Sequence, residues 1–153
     1  MNNRLSTAQL LLRLALGIGF ILPVMDRIGL LGSTGEGAAW GNWANFVTYT
    51  HKLMPFLPEA GAGFMGLIAT LLEVVFGVCL ILGFKTRLVS TGAAILTLLF
   101  ALCMAFFMGI HAPFKYPVFV FTGGSLLLSC AQSYKWSLDD LLGAGKRDPA
   151  RSY

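Results

Sequence analysis

Leu88 to Ile110 reads Leu-Val-Ser-Thr-Gly-Ala-Ala-Ile-Leu-Thr-Leu-Leu-Phe-Ala-Leu-Cys-Met-Ala-Phe-Phe-Met-Gly-Ile, without one charged side chain. At about 1.5 Å per residue, a helix of this length covers a hydrocarbon core roughly 30 Å thick. Lipid offers no hydrogen bonds to backbone, and runs this long do not suit a closed barrel, so the stretch reads as a membrane-spanning α-helix. Three more apolar runs flank it. One lies between Arg4 and Asp26 and is interrupted only by Arg13. A second goes from about Ala60 to Leu82 with the single charge Glu73. The last, Tyr116 to Tyr134, is uncharged.

The expected fold class is therefore all-α, an integral membrane four-transmembrane-helix bundle. Its spans fall at about 5–25, 60–82, 88–110 and 116–134. An outer loop, 26–59, and a tail, 135–153, complete a single membrane domain. Composition agrees: 56% of residues are hydrophobic, 12% are charged, and mean hydropathy is +0.74. A soluble domain carries roughly a quarter of its residues as charges. The net charge of +4 is spread over loops and tail without the clustered basic patch of a nucleic-acid binder.

The first run is expected to be a retained helix rather than a secretory signal. Arg13 breaks its apolar core, and no small-x-small cleavage site precedes Asp26. Lysine and arginine counts set the orientation. Arg4, Lys85, Arg87, Lys135, Lys146, Arg147 and Arg151 fall on one side of four crossings, and only Arg27, Lys52 and Lys115 on the other. The richer side is expected in the cytoplasm, with both termini.

The turn Gly83-Phe84-Lys85-Thr86-Arg87 is short enough to make its flanking helices antiparallel neighbours. The first loop opens with glycines and then carries Trp40, Trp43, Phe46 or Val47, and Met54 near helical spacing. Residues 39–54 are thus expected to form an outer interfacial helix or one that caps the bundle, ended by Pro55 and Pro58. In the tail, Ser137 is placed to cap a short helix over Leu138 and its successors.

Arg13-Leu-Ala-Leu-Gly17 and Asp26-Arg27-Ile-Gly-Leu-Leu-Gly32 resemble the opening of DoxX-family (DoxX/DoxD-like) membrane proteins. Further stretches are similar to that family too: Phe46-x-x-Tyr49-Thr50, Phe56-Leu57-Pro58, Thr70-x-x-Glu73-x-x-x-Gly77, Leu82-Gly83-Phe84-Lys85-Thr86-Arg87 and Ala112-Pro113. The resemblance spans roughly residues 8–132 and implies a four-helix inner-membrane protein. Some members of that family are named as a small subunit of thiosulfate:quinone oxidoreductase, and others as membrane partners in redox-protective assemblies.

Charges inside apolar runs mark candidate sites, because a lone charge at mid-bilayer costs roughly 2.5–3.5 kcal/mol on insertion scales. Arg13 and Glu73 are the candidate intramembrane polar site. They are expected to pair, which would fix helix register; alternatively Glu73 anchors a polar ligand or relays a proton, or Arg13 snorkels to headgroups. Asp26, Arg27, His51 and His111 are the candidates for an outer cavity. Two histidines are too few for a convincing haem or zinc site. Cys79, Cys103 and Cys130 lie in apolar runs and form no CxxC pair, which weighs against dithiol exchange.

The expected function is an accessory subunit of a membrane redox assembly, with a redox protein and the lipid bilayer as partners. A lipid-soluble quinone is the candidate ligand, and no catalytic motif is self-contained. The alternatives are a small-solute or proton-coupled transporter, and a structural or lipid-interacting membrane protein.

Overall fold

The structure, a computed structural model, describes residues 3–35 and 37–143. The tail charges Lys146, Arg147 and Arg151 lie outside the described residues. Among the described residues seven helices follow one another: α1 (Asn3–Arg27), α2 (Trp43–Leu53), α3 (Glu59–Leu82), α4 (Thr86–Phe107), α5 (Ala112–Lys115), α6 (Val118–Ser129) and α7 (Leu138–Leu141). α1, α3 and α4 have the length and composition to cross a membrane, and α6 is a shorter apolar helix. The protein is a helical membrane bundle.

The fourth apolar run is not continuous helix over 116–134. Pro117 opens α6 as its N-cap, and the helix stops at Ser129. Its flanks still carry the chain between the two ends of the bundle. Tyr116 and Pro117 line a cavity beneath α2, while the Ala131 carbonyl accepts from Arg87 Nη2 at 3.1 Å, beside the α3–α4 turn.

α1 packs mainly on α3 and α4 mainly on α6. Glycine sets the first pairing: a side chain at Gly17 would strike the Gly77 carbonyl and Ile81, and one at Gly77 would strike Ile21 and the Gly17 carbonyl. Such close approach of two backbones is what small residues permit in membranes. It places Gly17 level with residues 77–81 of the antiparallel α3. Between the helices lies a core of Leu16, Phe20, Leu80, Val89, Ala93, Leu128 and Tyr134. Outward, Ile18, Leu71, Leu88, Ile95, Leu99, Phe106 and Val120 are exposed, the surface that lipid rather than water would cover.

The two ends are closed differently. At the hairpin end, Gly83 stops α3 in a left-handed conformation, φ 69°, and Phe84 N–H reaches back to the Cys79 carbonyl at 2.9 Å, a Schellman motif. The exposed N-terminus of α4 is capped from far along the chain. Asp139 accepts from Lys85 N–H and Thr86 N–H, each at 2.7 Å, and donates its own N–H to the Gly83 carbonyl at 2.9 Å. Ser137 caps α7, accepting from Asp140 N–H at 3.1 Å.

At the other end, α2 forms a roof. It starts at Trp43, because residues 39–41 are held elsewhere, with Asn42 as its N-cap accepting from Asn45 N–H at 2.9 Å. Phe46 and Thr50 pack over Gly66 of α3, where a Cβ would meet the Phe46 ring at 3.0 Å.

Candidate functional site

Glu73 sits near the middle of α3, roughly 14 Å along the axis from Leu82 and ~21 Å from Glu59 at about 1.5 Å per residue. Its carboxylate is held by Arg27, not by Arg13. Arg27 Nη1 donates to Glu73 Oε2, and Nη2 donates to Oε1 at 3.1 Å. The same Nη1 donates to Thr70 Oγ1 at 2.8 Å, and Thr70 in turn donates to the Gly66 carbonyl at 2.8 Å. A fork of two N–H groups on one carboxylate is the strong form of this contact.

The expected Arg13–Glu73 pair is thereby corrected. The Gly17–Gly77 contact slides α1 along α3 so that Arg27, its last residue, reaches the level of Thr70. Arg13 falls instead at the hairpin end. There its Nη2 donates to the Trp136 carbonyl at 2.6 Å, and Trp136 adopts φ 54° to present that oxygen. A side chain on Gly83 would collide with Arg13.

Two further contacts immobilise Arg27. Its guanidinium carbon lies 3.9 Å from the Phe46 ring centroid and 5.1 Å from that of Trp40, within the range of a cation–π contact. Trp40 and Phe46 meet edge-on at 5.3 Å. The neighbouring Asp26 holds Trp40 in place: its carboxylate accepts from Ala39 N–H at 2.8 Å, Gly41 N–H at 2.7 Å and Trp40 N–H at 3.2 Å. This short turn of backbone would otherwise leave orphan donors above the bundle. Asp26 and Arg27 therefore act as a unit, one binding the loop and the other binding α3.

Beneath α2 these groups border a cavity of about 810 Å³, lined by α1, α3, α4 and α6 and open to the outside of the bundle. Its walls are apolar, with Phe20, Leu72, Leu96, Phe100, Met104 and Phe121 among them; Asp26, Arg27, Tyr49, Thr50, Glu73, Thr97 and Tyr116 supply its polar groups. This size and chemistry fit a small amphipathic ligand. Pro23 adds an acceptor: it has no N–H, so the Gly19 carbonyl lacks its helical donor, and both residues line the cavity. Arg27 Nε is buried without a hydrogen-bond partner. Burial, and then the nearby Tyr116, push the Tyr49 hydroxyl up to about 12, so it stays a protonated donor at any physiological pH.

Asp26, Arg27 and Glu73 thus meet at one cavity. Neither His51 nor His111 lines it, and His111 is exposed at the end of α4. Among the described residues no group of three His, Cys, Asp or Glu side chains is placed to hold a metal. Sequence reasoning missed Phe46, Tyr49 and Tyr116 as wall residues. The facing glycines Gly17 and Gly77 were the available signal, because pairing them sets the register that brings Arg27 to Glu73.

Fold and site define a helical membrane protein with a roofed cavity between its helices and a buried ion pair on the cavity wall. The chain belongs to the DoxD family, whose model, described as TQO small subunit DoxD, matches residues 45–148. DoxD is a DoxX-like family, close to the resemblance drawn from the sequence but not identical with it. The match includes Glu73 and the roof helix from Asn45 onward; Arg13, Asp26 and Arg27 precede it. Comparison with curated proteins and with solved structures gave no match.

Proposed function

We propose that the chain is the membrane subunit of a redox assembly and holds a quinone, or its quinol, in the cavity beneath α2. The observation that carries this reading is the combination of apolar walls with a few fixed polar groups, the Arg27–Glu73 pair and the Tyr49 hydroxyl. A quinone presents two carbonyl acceptors on a flat apolar ring. Tyr49 would donate to one of its oxygens, and Phe20, Phe100 and Phe121 would bound the ring. When bound, the quinone would supply two-electron, two-proton chemistry, with electrons exchanged with a partner protein. The family description, a small subunit of TQO, supports such an assembly. Glu73 keeps the guanidinium oriented, since an arginine this deep needs a counter-charge.

The hairpin end faces the cytoplasm of an inner membrane in this reading. Lys85, Arg87 and Lys135 gather there, while Lys52 and Lys115 lie toward the roof.

Native mass spectrometry with a short-chain quinone tests the proposal. Wild type should retain one quinone, as should Arg13→Leu, whose side chain lies at the other end. Arg27→Gln and the cavity-filling Ala69→Leu should lose it. Retention by Ala69→Leu, or an empty wild type, would refute the assignment.

A further inference from the structure

α3 and α4 are joined by a tight turn, yet each packs mainly on another helix, α3 on α1 and α4 on α6. Near the hairpin they touch. Phe76 and Gly92 stand level, each six residues from its helix end at Leu82 or Thr86, and a Cβ on Gly92 would lie 2.8 Å from the Phe76 ring. Beyond that contact the cavity comes between the two helices. Leu72 and Leu96 are each ten residues from those ends, Ile68 and Phe100 fourteen, Met65 and Cys103 seventeen. All six line the cavity. Met65, Ile68 and Leu72 are at the same time exposed, as is the cavity-lining Leu99 beside Phe100. Side chains that line a cavity and remain exposed frame the place where it opens. At the far end of this frame the Phe56 and Phe107 rings, 5.7 Å apart, close the gap beside α2.

Height decides what lies outside the opening. At ~1.5 Å per residue the frame runs from roughly 15 Å to ~25 Å above the hairpin end, inside a hydrocarbon layer about 30 Å thick. Its side chains are apolar, the Cys103 thiol acting as a small hydrophobe, while Arg27, Glu73 and Tyr49 lie deeper in the same cavity. The end nearer water is covered by α2, with Phe46 and Leu53 buried beneath it. A molecule dissolved in the bilayer therefore meets the opening directly, whereas one dissolved in water meets the roof.

We propose that the cavity is entered sideways from the bilayer, between α3 and α4, and that its ligand is a lipid-dissolved molecule with a polar head and a hydrocarbon tail. The head reaches Tyr49 and the Arg27–Glu73 pair, and the tail rests in the opening on Ile68, Leu72 and Leu99. That the head is a quinone rests on the reading above; the opening does not.

Native mass spectrometry from lipid nanodiscs, with a tail-less and a decyl-tailed quinone, tests the route. Wild type should retain the decyl form in preference. In Ile68→Trp, which overfills the frame, the ratio of decyl to tail-less quinone retained should fall about tenfold, the effect of one overpacked side chain. Ile95→Trp, exposed on α4 outside the frame, should hold the wild-type ratio. No preference in wild type, or an unchanged ratio in Ile68→Trp, would overturn the route. So would a fall in Leu22→Trp instead, because Leu22 and Tyr116 line the cavity and are exposed on the α1–α6 side. If wild type binds neither quinone, the quinone reading falls, and NMR in the same nanodiscs decides the opening by itself. Transfer from lipid methylene protons to the methyl of Met104, buried on the cavity wall, but not to Leu80, buried away from it, would uphold the opening. No transfer to Met104 would overturn it.

Discussion

Replacing Glu73 with alanine would leave the Arg27 guanidinium 3% exposed with Thr70 and two aromatic rings but no counter-charge. Removing one member of a buried ion pair costs about 3–5 kcal/mol, chiefly because the other charge stays desolvated. The cation–π contacts with Phe46 and Trp40 recover a part, about 0.5–2 kcal/mol. A net loss of roughly 2–4 kcal/mol is expected, enough to shift the folded fraction a hundredfold. The informative experiment is a double-mutant cycle. Arg27→Met removes the charge while keeping an unbranched apolar chain, and Arg27→Met with Glu73→Gln should recover most of the loss of either single change. The coupling energy should reach about 2 kcal/mol or more. Arg13 lies about 21 Å from Arg27 along α1, so Arg13→Met and Glu73→Gln should add within about 0.5 kcal/mol. Reversible unfolding in bicelles, followed by steric trapping, provides the free energies. Strong coupling of Glu73 to Arg13, with none to Arg27, would refute the register set by Gly17 and Gly77.

Asp26→Ala should cost about 2–3 kcal/mol by releasing three backbone donors from a charged acceptor. Limited proteolysis should then cut between residues 28 and 42 much faster than in wild type, and an unchanged digest would contradict the clamp. Asp139→Ala uncaps α4 and should lower stability by about 2 kcal/mol, with faster hydrogen exchange at Lys85 and Thr86, while the cavity end keeps its protection. For Tyr49, a folded value raised to about 12 means that the stability tied to its protonated form is present below the free-tyrosine value near 10. That stability is lost as pH rises from there through about 12. Absorbance at 295 nm in Tyr49→Phe should lack the corresponding high-pH transition, and its persistence would assign that transition to another tyrosine.

The helical bundle was legible because Leu88–Ile110 and its companions leave lipid-exposed backbone one solution. The fourth run was read too long, since apolar content alone does not register that Pro117 sets a helix start and that the chain turns after Ser129. The α2 boundary was placed at residue 39 because Trp40 and Trp43 fit helical spacing; the tertiary contact of Asp26 with residues 39–41 overrode that pattern. Arg13 and Glu73 were singled out as charges inside apolar runs, yet their partners depend on how far one helix slides along another. An axial shift of a few turns exchanges Arg13 for Arg27, and only the opposed glycines record it. Bringing Trp40 and Phe46 onto Arg27 depends on folding the first loop back over the bundle, which no local periodicity encodes.

The most direct test of the central claim is photo-crosslinking with an azidoquinone in native-like membranes, followed by peptide mapping. The account predicts labels on cavity walls from several helices, at Tyr49, Leu96, Phe100 or Phe121, suppressed by excess unlabelled quinone and by Ala69→Leu. Labels confined to lipid-facing positions such as Leu71, Ile95 or Val120, insensitive to competitor, would contradict it.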